Sequence, residues 1–164
     1  MSSSSPSLAD STPSEFSNAA MSLSRDGGLI RIHVRAGLSQ VEAVALDEAV
    51  SEAAALGQPV ALCVVVEART SLPSEQARQA VASLFHRHQR NIVDLGIAID
   101  GPGFWVSAYR SVVTTALVVS RARFRCHVSA SAATTIDSTL GALQVDPNTA
   151  LDMRQRALAF FGRE

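Results

Sequence analysis

Val60-Ala61-Leu62-Cys63-Val64-Val65-Val66 is apolar at every position, so both alternating faces of this run are apolar. A strand apolar on both sides must be covered on both sides, which marks a central strand with helices on two faces. Gly57 and Pro59 stand just before it and close whatever helix precedes it. Pro73 follows it and opens the next helix, which the pattern carries to about Arg90 through Ala77, Val81, Leu84 and Phe85.

Upstream, Ser39-Gln40-Val41-Glu42 is a capping box, in which the serine accepts from the third helical N–H and the glutamate reaches back. The helix it opens carries Val41, Val44, Ala45, Ala49 and Ala53 at helical spacing. Before it, Leu29 to Arg35 alternates apolar and basic residues, and Asp26-Gly27-Gly28 is a turn signal. With a first strand over Phe16–Ser24 this makes a β-hairpin.

Downstream, Leu95-Gly96-Ile97-Ala98-Ile99 reads as a second short apolar strand. Gly101-Pro102-Gly103 leads into a helix over 104–118 that is apolar nearly all round. Arg123 to Val128 alternates and reads as an outer strand, Ser131 caps a helix through Leu143, and Asp146-Pro147 starts a terminal helix. The fold class is α/β. The order β-β-α-β-α-β-α-β-α builds a mixed sheet of four or five strands with helices packed on it and an extra C-terminal helix. Residues 1–15, rich in Ser and Pro, read as a mobile tail, 16–143 as the domain and 144–164 as a helical extension.

The chain of 164 residues is 47% hydrophobic and 18% charged, enough for one globular core and below the usual charged share of about 25%. Its net charge of −1 gives no general attraction to nucleic acid or an anionic membrane. All of its basic residues other than histidine are arginine, which excludes Schiff-base and P-loop lysine chemistry. Cys63 and Cys126 are far apart in apolar surroundings and read as free thiols. The N-terminus has neither the basic nor the apolar region of a secretory signal, and no apolar run spans a bilayer. The expectation is a soluble, cytoplasmic protein without membrane insertion. No Cys/His spacing fits a metal site, and His86 and His88, two apart on a helix, point in different directions. No cofactor is implied, and no nucleophile and base stand at recognisable positions, so the expected function is binding rather than catalysis.

The hairpin, the capped helix after Gly37, the strand Val60–Val66, the Pro73-led helix and the Ile97–Trp105 turn together resemble the STAS domain, in its SpoIIAA-like or STAS/SEC14-like branch. The likeness covers about residues 16–143 and rests on element order and hydrophobic pattern. It implies a protein-interaction module of bacterial signalling. In such domains a serine at the start of the helix after the central strand is phosphorylated, within an Asp-Ser-Ser-Gly-like motif. Here that stretch reads Glu67-Ala68-Arg69-Thr70-Ser71-Leu72-Pro73-Ser74. Ser71 and Ser74 match by position and not by motif, and plain helix capping is their alternative reading. The SEC14 side of the likeness implies a second possibility, a small apolar-ligand or lipid-binding protein with a pocket between helices 73–90 and 104–118.

Two surfaces remain as candidates. Phe104, Trp105, Tyr109 and Arg110 form an expected interaction surface, with Trp105, the only tryptophan, as anchor or as core. Arg121, Arg123 and Arg125 alternate and are expected on one strand face, as an anion or acidic-partner site or as a charged edge that prevents aggregation. Helix 104–118 needs cover on its outer side, from the C-terminal helix or a second subunit, and a homodimer through this helix is expected.

Overall fold

A computed structural model describes residues 15–162. Its elements are β1 (Glu15–Ser17), β2 (Met21–Asp26), β3 (Leu29–Val34), α1 (Gln40–Ala55), β4 (Val60–Val66), α2 (Glu75–His88), β5 (Ile92–Ile99), α3 (Gly103–Ser120), β6 (Arg125–Ser129), α4 (Ala132–Leu143) and α5 (Pro147–Phe161). The fold is α/β, with helices on both faces of one six-stranded sheet whose spatial order follows the chain. β1, β2 and β3 form an antiparallel meander, and β3 to β6 run parallel. Successive right-handed crossovers moving in one direction place α1, α2 and α3 on the same face. After β6 the chain returns over the other face as α4 and α5.

β4 is the central strand that its double apolar face requires. Val60, Leu62 and Val66 enter the core shared with α1 and α2, while Ala61 and Cys63 enter the core under α4 and α5. The β2–β3 turn closes on Gly27, whose φ of 58° is the left-handed backbone a tight hairpin needs. The capping box at Ser39 and Glu42 is formed.

Several expectations are corrected. The stretch Phe16–Ser24 is two strands, because the Asn18 side chain accepts from the N–H groups of Ala20 and Met21, both at 2.8 Å, and folds the chain back. The sheet therefore has six strands, and Glu15, assigned to the tail, lies in β1; the rest of the expected tail, 1–14, lies outside the described residues. On α1, Val41 and Val44 are exposed, and the buried face runs through Ala43, Leu46, Ala49, Val50 and Ala53. The outer strand starts at Arg125, because the chain from Arg121 to Phe124 is still turning out of α3. The C-terminal helix does not cover α3: α5 packs on α4 across the opposite face, where it buries Met153 and Ala157.

Candidate functional site

α3 is the most apolar of the helices and among the least buried. Of its 18 residues only Tyr109 and Ser120 are buried. Phe104 is 87% exposed, and Val118 and Val119 are exposed at the other end. The face between them carries Ser107, Arg110, Ser111, Thr114 and Thr115, all exposed. Ser107 Oγ donates to Gly103 O and Thr115 Oγ1 to Ser111 O, both at 2.9 Å, so these hydroxyls are satisfied within the helix.

Beneath α3 lies a cavity of about 110 Å³ between the sheet and α1, α2 and α3. Its walls are almost wholly apolar, among them Val34, Leu46, Leu62, Val81, Ile97 and Val113. The helices facing it present small side chains, Ala43, Ala77 and Ala116, which leave the space open. Arg78, Val112 and Ala116 line both the cavity and a surface groove between α2 and α3, and so form the wall between the two. Arg78 is held there by Glu75 at 2.6 Å. Glu42 also lines the cavity, but its carboxylate accepts from Asn18 Nδ2 (2.6 Å) and from the Ser39 N–H (2.8 Å) and hydroxyl. Burial pushes the Glu42 carboxyl up, but the hydrogen bonds from Ser39 and Asn18 outweigh it and hold the group at about 2.

Tyr109 lines the same cavity and is 5% exposed. Its hydroxyl is buried with no hydrogen-bond partner among the described residues, and burial pushes it up to about 12. Trp105 meets the Tyr109 ring edge-on at 5.2 Å between centroids, and its indole nitrogen is likewise buried without a partner.

The expected interaction surface is thus divided. Phe104 and Arg110 are exposed, Trp105 is half-buried and Tyr109 belongs to the core. The expected arginine row is not formed. Arg121 terminates α3 in left-handed backbone (φ 53°), Arg123 precedes β6, and of the three only Arg125 is in the strand. Arg125 Nε donates to the fully buried Asp94 at 2.7 Å, which holds its guanidinium above its ordinary range. Ser74 caps α2, its hydroxyl accepting from Ala77 N at 3.1 Å, and Ser71 is exposed in the loop before it.

The α4–α5 face holds a polar cluster that the linear sequence did not disclose. Register sets Cys63, Gly96 and His127 side by side on β4, β5 and β6, and Asp94 one pleat away. The only linear hint is Gly96, since a glycine inside a strand marks a close approach. A Cβ there would stand 2.5 Å from Thr139 Oγ1 and 2.8 Å from His127 Nε2. Burial, with Asp94 adding to it, pushes the Cys63 thiol up to about 12, so it is protonated and a poor nucleophile near neutral pH. Burial likewise pushes Cys126 up to about 11. Both thiols are free. Among the described residues no group of three or more His, Cys, Asp or Glu is placed to hold a metal ion, and no helix is long and apolar enough to cross a membrane.

The chain matches no family model and no curated protein. Among solved structures it is similar to an enoyl-CoA hydratase from Geobacillus kaustophilus HTA426, at 10% identity and a TM-score of 0.35 over 93% of this chain and 92% of that one, a likeness too slight to carry any argument about fold family or activity.

Proposed function

We propose that this chain is a non-catalytic, STAS-like interaction domain of the bacterial cytoplasm that works as a homodimer, with α3 of one copy packed antiparallel on α3 of the other. The observation behind this reading is that the exposed stripe of α3 is self-complementary. Phe104, Ser107, Ser111, Thr115 and Val118 lie on one narrow side of the helix. A twofold axis at Ser111 sets Phe104 against Val118 and Ser107 against Thr115 of the second copy, which is the pairing an isologous interface requires. Phe104 and Val118 are about 21 Å apart along the helix axis, so the contact is bounded by an apolar pair at each end. Small residues between them let the two backbones approach. The stripe carries no charge to repel its copy, and the internally bonded hydroxyls of Ser107 and Thr115 lose little on burial. Such a dimer would be a regulatory or scaffold unit, with its further protein partner unidentified.

Light scattering with size separation tests this. Wild type should show the dimer mass at tens of micromolar, and Phe104→Glu the monomer mass with an unchanged circular dichroism spectrum. A strict monomer at high concentration overturns the reading. A second reading, uptake of a small apolar ligand, is favoured by the cavity between α2 and α3.

A further inference from the structure

We infer that a pocket at the turn of the β2–β3 hairpin, lined by Arg25, Arg31 and Arg156, binds the carboxylate of a small organic acid whose apolar part lies against Phe160. None of its lining comes from α2 or α3, so this site goes beyond both the dimer and the apolar-ligand readings. β1 reaches along β2 only to the Glu15–Ser24 pair, so Arg25 and Asp26 have no β1 partner among the described residues. A pocket of about 440 Å³ opens beside them. Register sets Arg31 across from Ser24 and Arg25 across from Ile30, so the two arginines leave the hairpin on opposite faces. Both nevertheless line this pocket, together with Leu56 at the end of α1 and Phe160 on α5.

Arg25 is 8% exposed and Arg31 7%, and burying a cation is costly unless its partners offset the lost hydration. Their partners are few. Arg25 makes no hydrogen bond among the described residues, and its ion-pair partner, Glu52, lies 4.0 Å away and is largely exposed. Arg31 donates one bond, from Nη2 to Ser24 at 2.7 Å, and lies over the Phe160 ring at 5.3 Å. Burial outweighs the pull of Asp26 and draws its guanidinium below the ordinary range. In both residues the Nε is unbonded and shut off from the surface. Both Nη groups of Arg25 and Nη1 of Arg31 are equally unbonded but keep access to the surface, and these are the donors offered to a ligand. Arg156 is already spent on Asp26, through bonds of 2.7 and 3.3 Å. The lining thus sets three arginines against two carboxylates, Glu15 and Asp26, and the surplus of one positive charge suits a monoanion. A carboxylate is the monoanion whose two oxygens match paired guanidinium N–H groups. Leu56, Ala159 and Phe160 supply apolar surface for the rest of the molecule.

The test uses the full chain and two probes of one shape, benzoate and benzamide, which differ in carrying a carboxylate or a neutral amide. Both are titrated by NMR into wild type, Arg25→Met and Arg31→Met. Methionine keeps an unbranched apolar stem and removes the charge, and circular dichroism checks that each variant folds. In wild type benzoate should bind about tenfold more tightly than benzamide. It should shift the signals of Gly27 and Phe160, and its preference should vanish in either variant. Equal binding of the two probes in wild type, or binding of neither, overturns the site, and that comparison stands even where a variant fails to fold. A preference that survives both substitutions, or shifts confined to α2 and α3, overturns the assignment to these arginines. Tighter binding of phenyl phosphate than of benzoate overturns the choice of a monoanion.

Discussion

Toward α1, α2 and α3 the sheet turns Ile32, Val64 and Ile97, and the helices above them leave about 110 Å³ unfilled. Toward α4 and α5, one residue away on the same strands, it turns Arg31, Cys63 and Gly96, where even one added carbon has no room. The first face is held by apolar burial, which is non-directional and tolerates a gap where alanines stand in for larger residues. The second adds hydrogen bonds and ion pairs to its apolar core of Leu29, Ala61, Ile136, Leu140 and Met153. Arg125 and His127 approach Asp94, Thr139 Oγ1 donates to Thr135 O at 2.7 Å, and Arg31 donates to Ser24 and lies over the Phe160 ring. Directional contacts of that kind fix positions closely. The enclosed apolar space therefore lies on the first face, and the close packing around Gly96 on the second.

The sharpest way to break this contrast is to add one methyl group to the tight side. In Gly96→Ala the new Cβ meets Thr139 and Thr135, both fully buried, and His127. Overpacking of this kind should cost about 2–3 kcal/mol, read as a lower urea midpoint with an unchanged slope. A neutral result would mean that the α4–α5 face has slack like its counterpart.

On both faces the sequence disclosed what is local and hid what depends on register. Val60–Val66 named the central strand from composition alone, and Ser39, Ser131 and Asp146 marked helix starts where their side chains now cap. These signals are local, and each needs only its neighbours along the chain. The Asn18 turn was equally local but lay in a stretch without clear periodicity, so two strands were read as one. The polar cluster and the cavity were not legible, because both depend on register. Cys63, Asp94 and His127 are neighbours only once three strands are aligned, and a void is a property of facing side-chain volumes rather than of any one residue. The arginine alternation misled because a period of two was read as strand where the chain was still leaving α3.

A gentler probe is pH, through Glu42, which ties α1 to the β1–β2 turn at the rim of the cavity. Its folded-state value, about 2, lies below its ordinary value of 4.5, so the folded state binds fewer protons between them. The stabilisation is therefore complete above about pH 4.5 and is lost as pH falls toward 2. Solvent screening reduces the contribution to about 1–2 kcal/mol. Glu42→Gln should lower stability at neutral pH and flatten the stability profile between pH 5 and about 2, followed by urea unfolding at each pH. An unflattened profile would place the acid sensitivity elsewhere.

The smallest expected effect decides most about the cavity. Val81→Ile adds one methylene on the α2 wall, the counterpart of the methyl placed at Gly96. If the space is empty, the added carbon finds apolar walls and should stabilise by up to about 0.8 kcal/mol. If the side chains in solution already close the gap, the same carbon overpacks and the sign reverses. The experiment therefore reads a sign rather than a magnitude, and differential scanning calorimetry resolves a shift of either sign. A gain here together with a loss at Gly96 would show one sheet packed loosely on one face and tightly on the other. It would also sharpen the apolar-ligand reading, because a methylene that fills the cavity must weaken whatever the cavity binds.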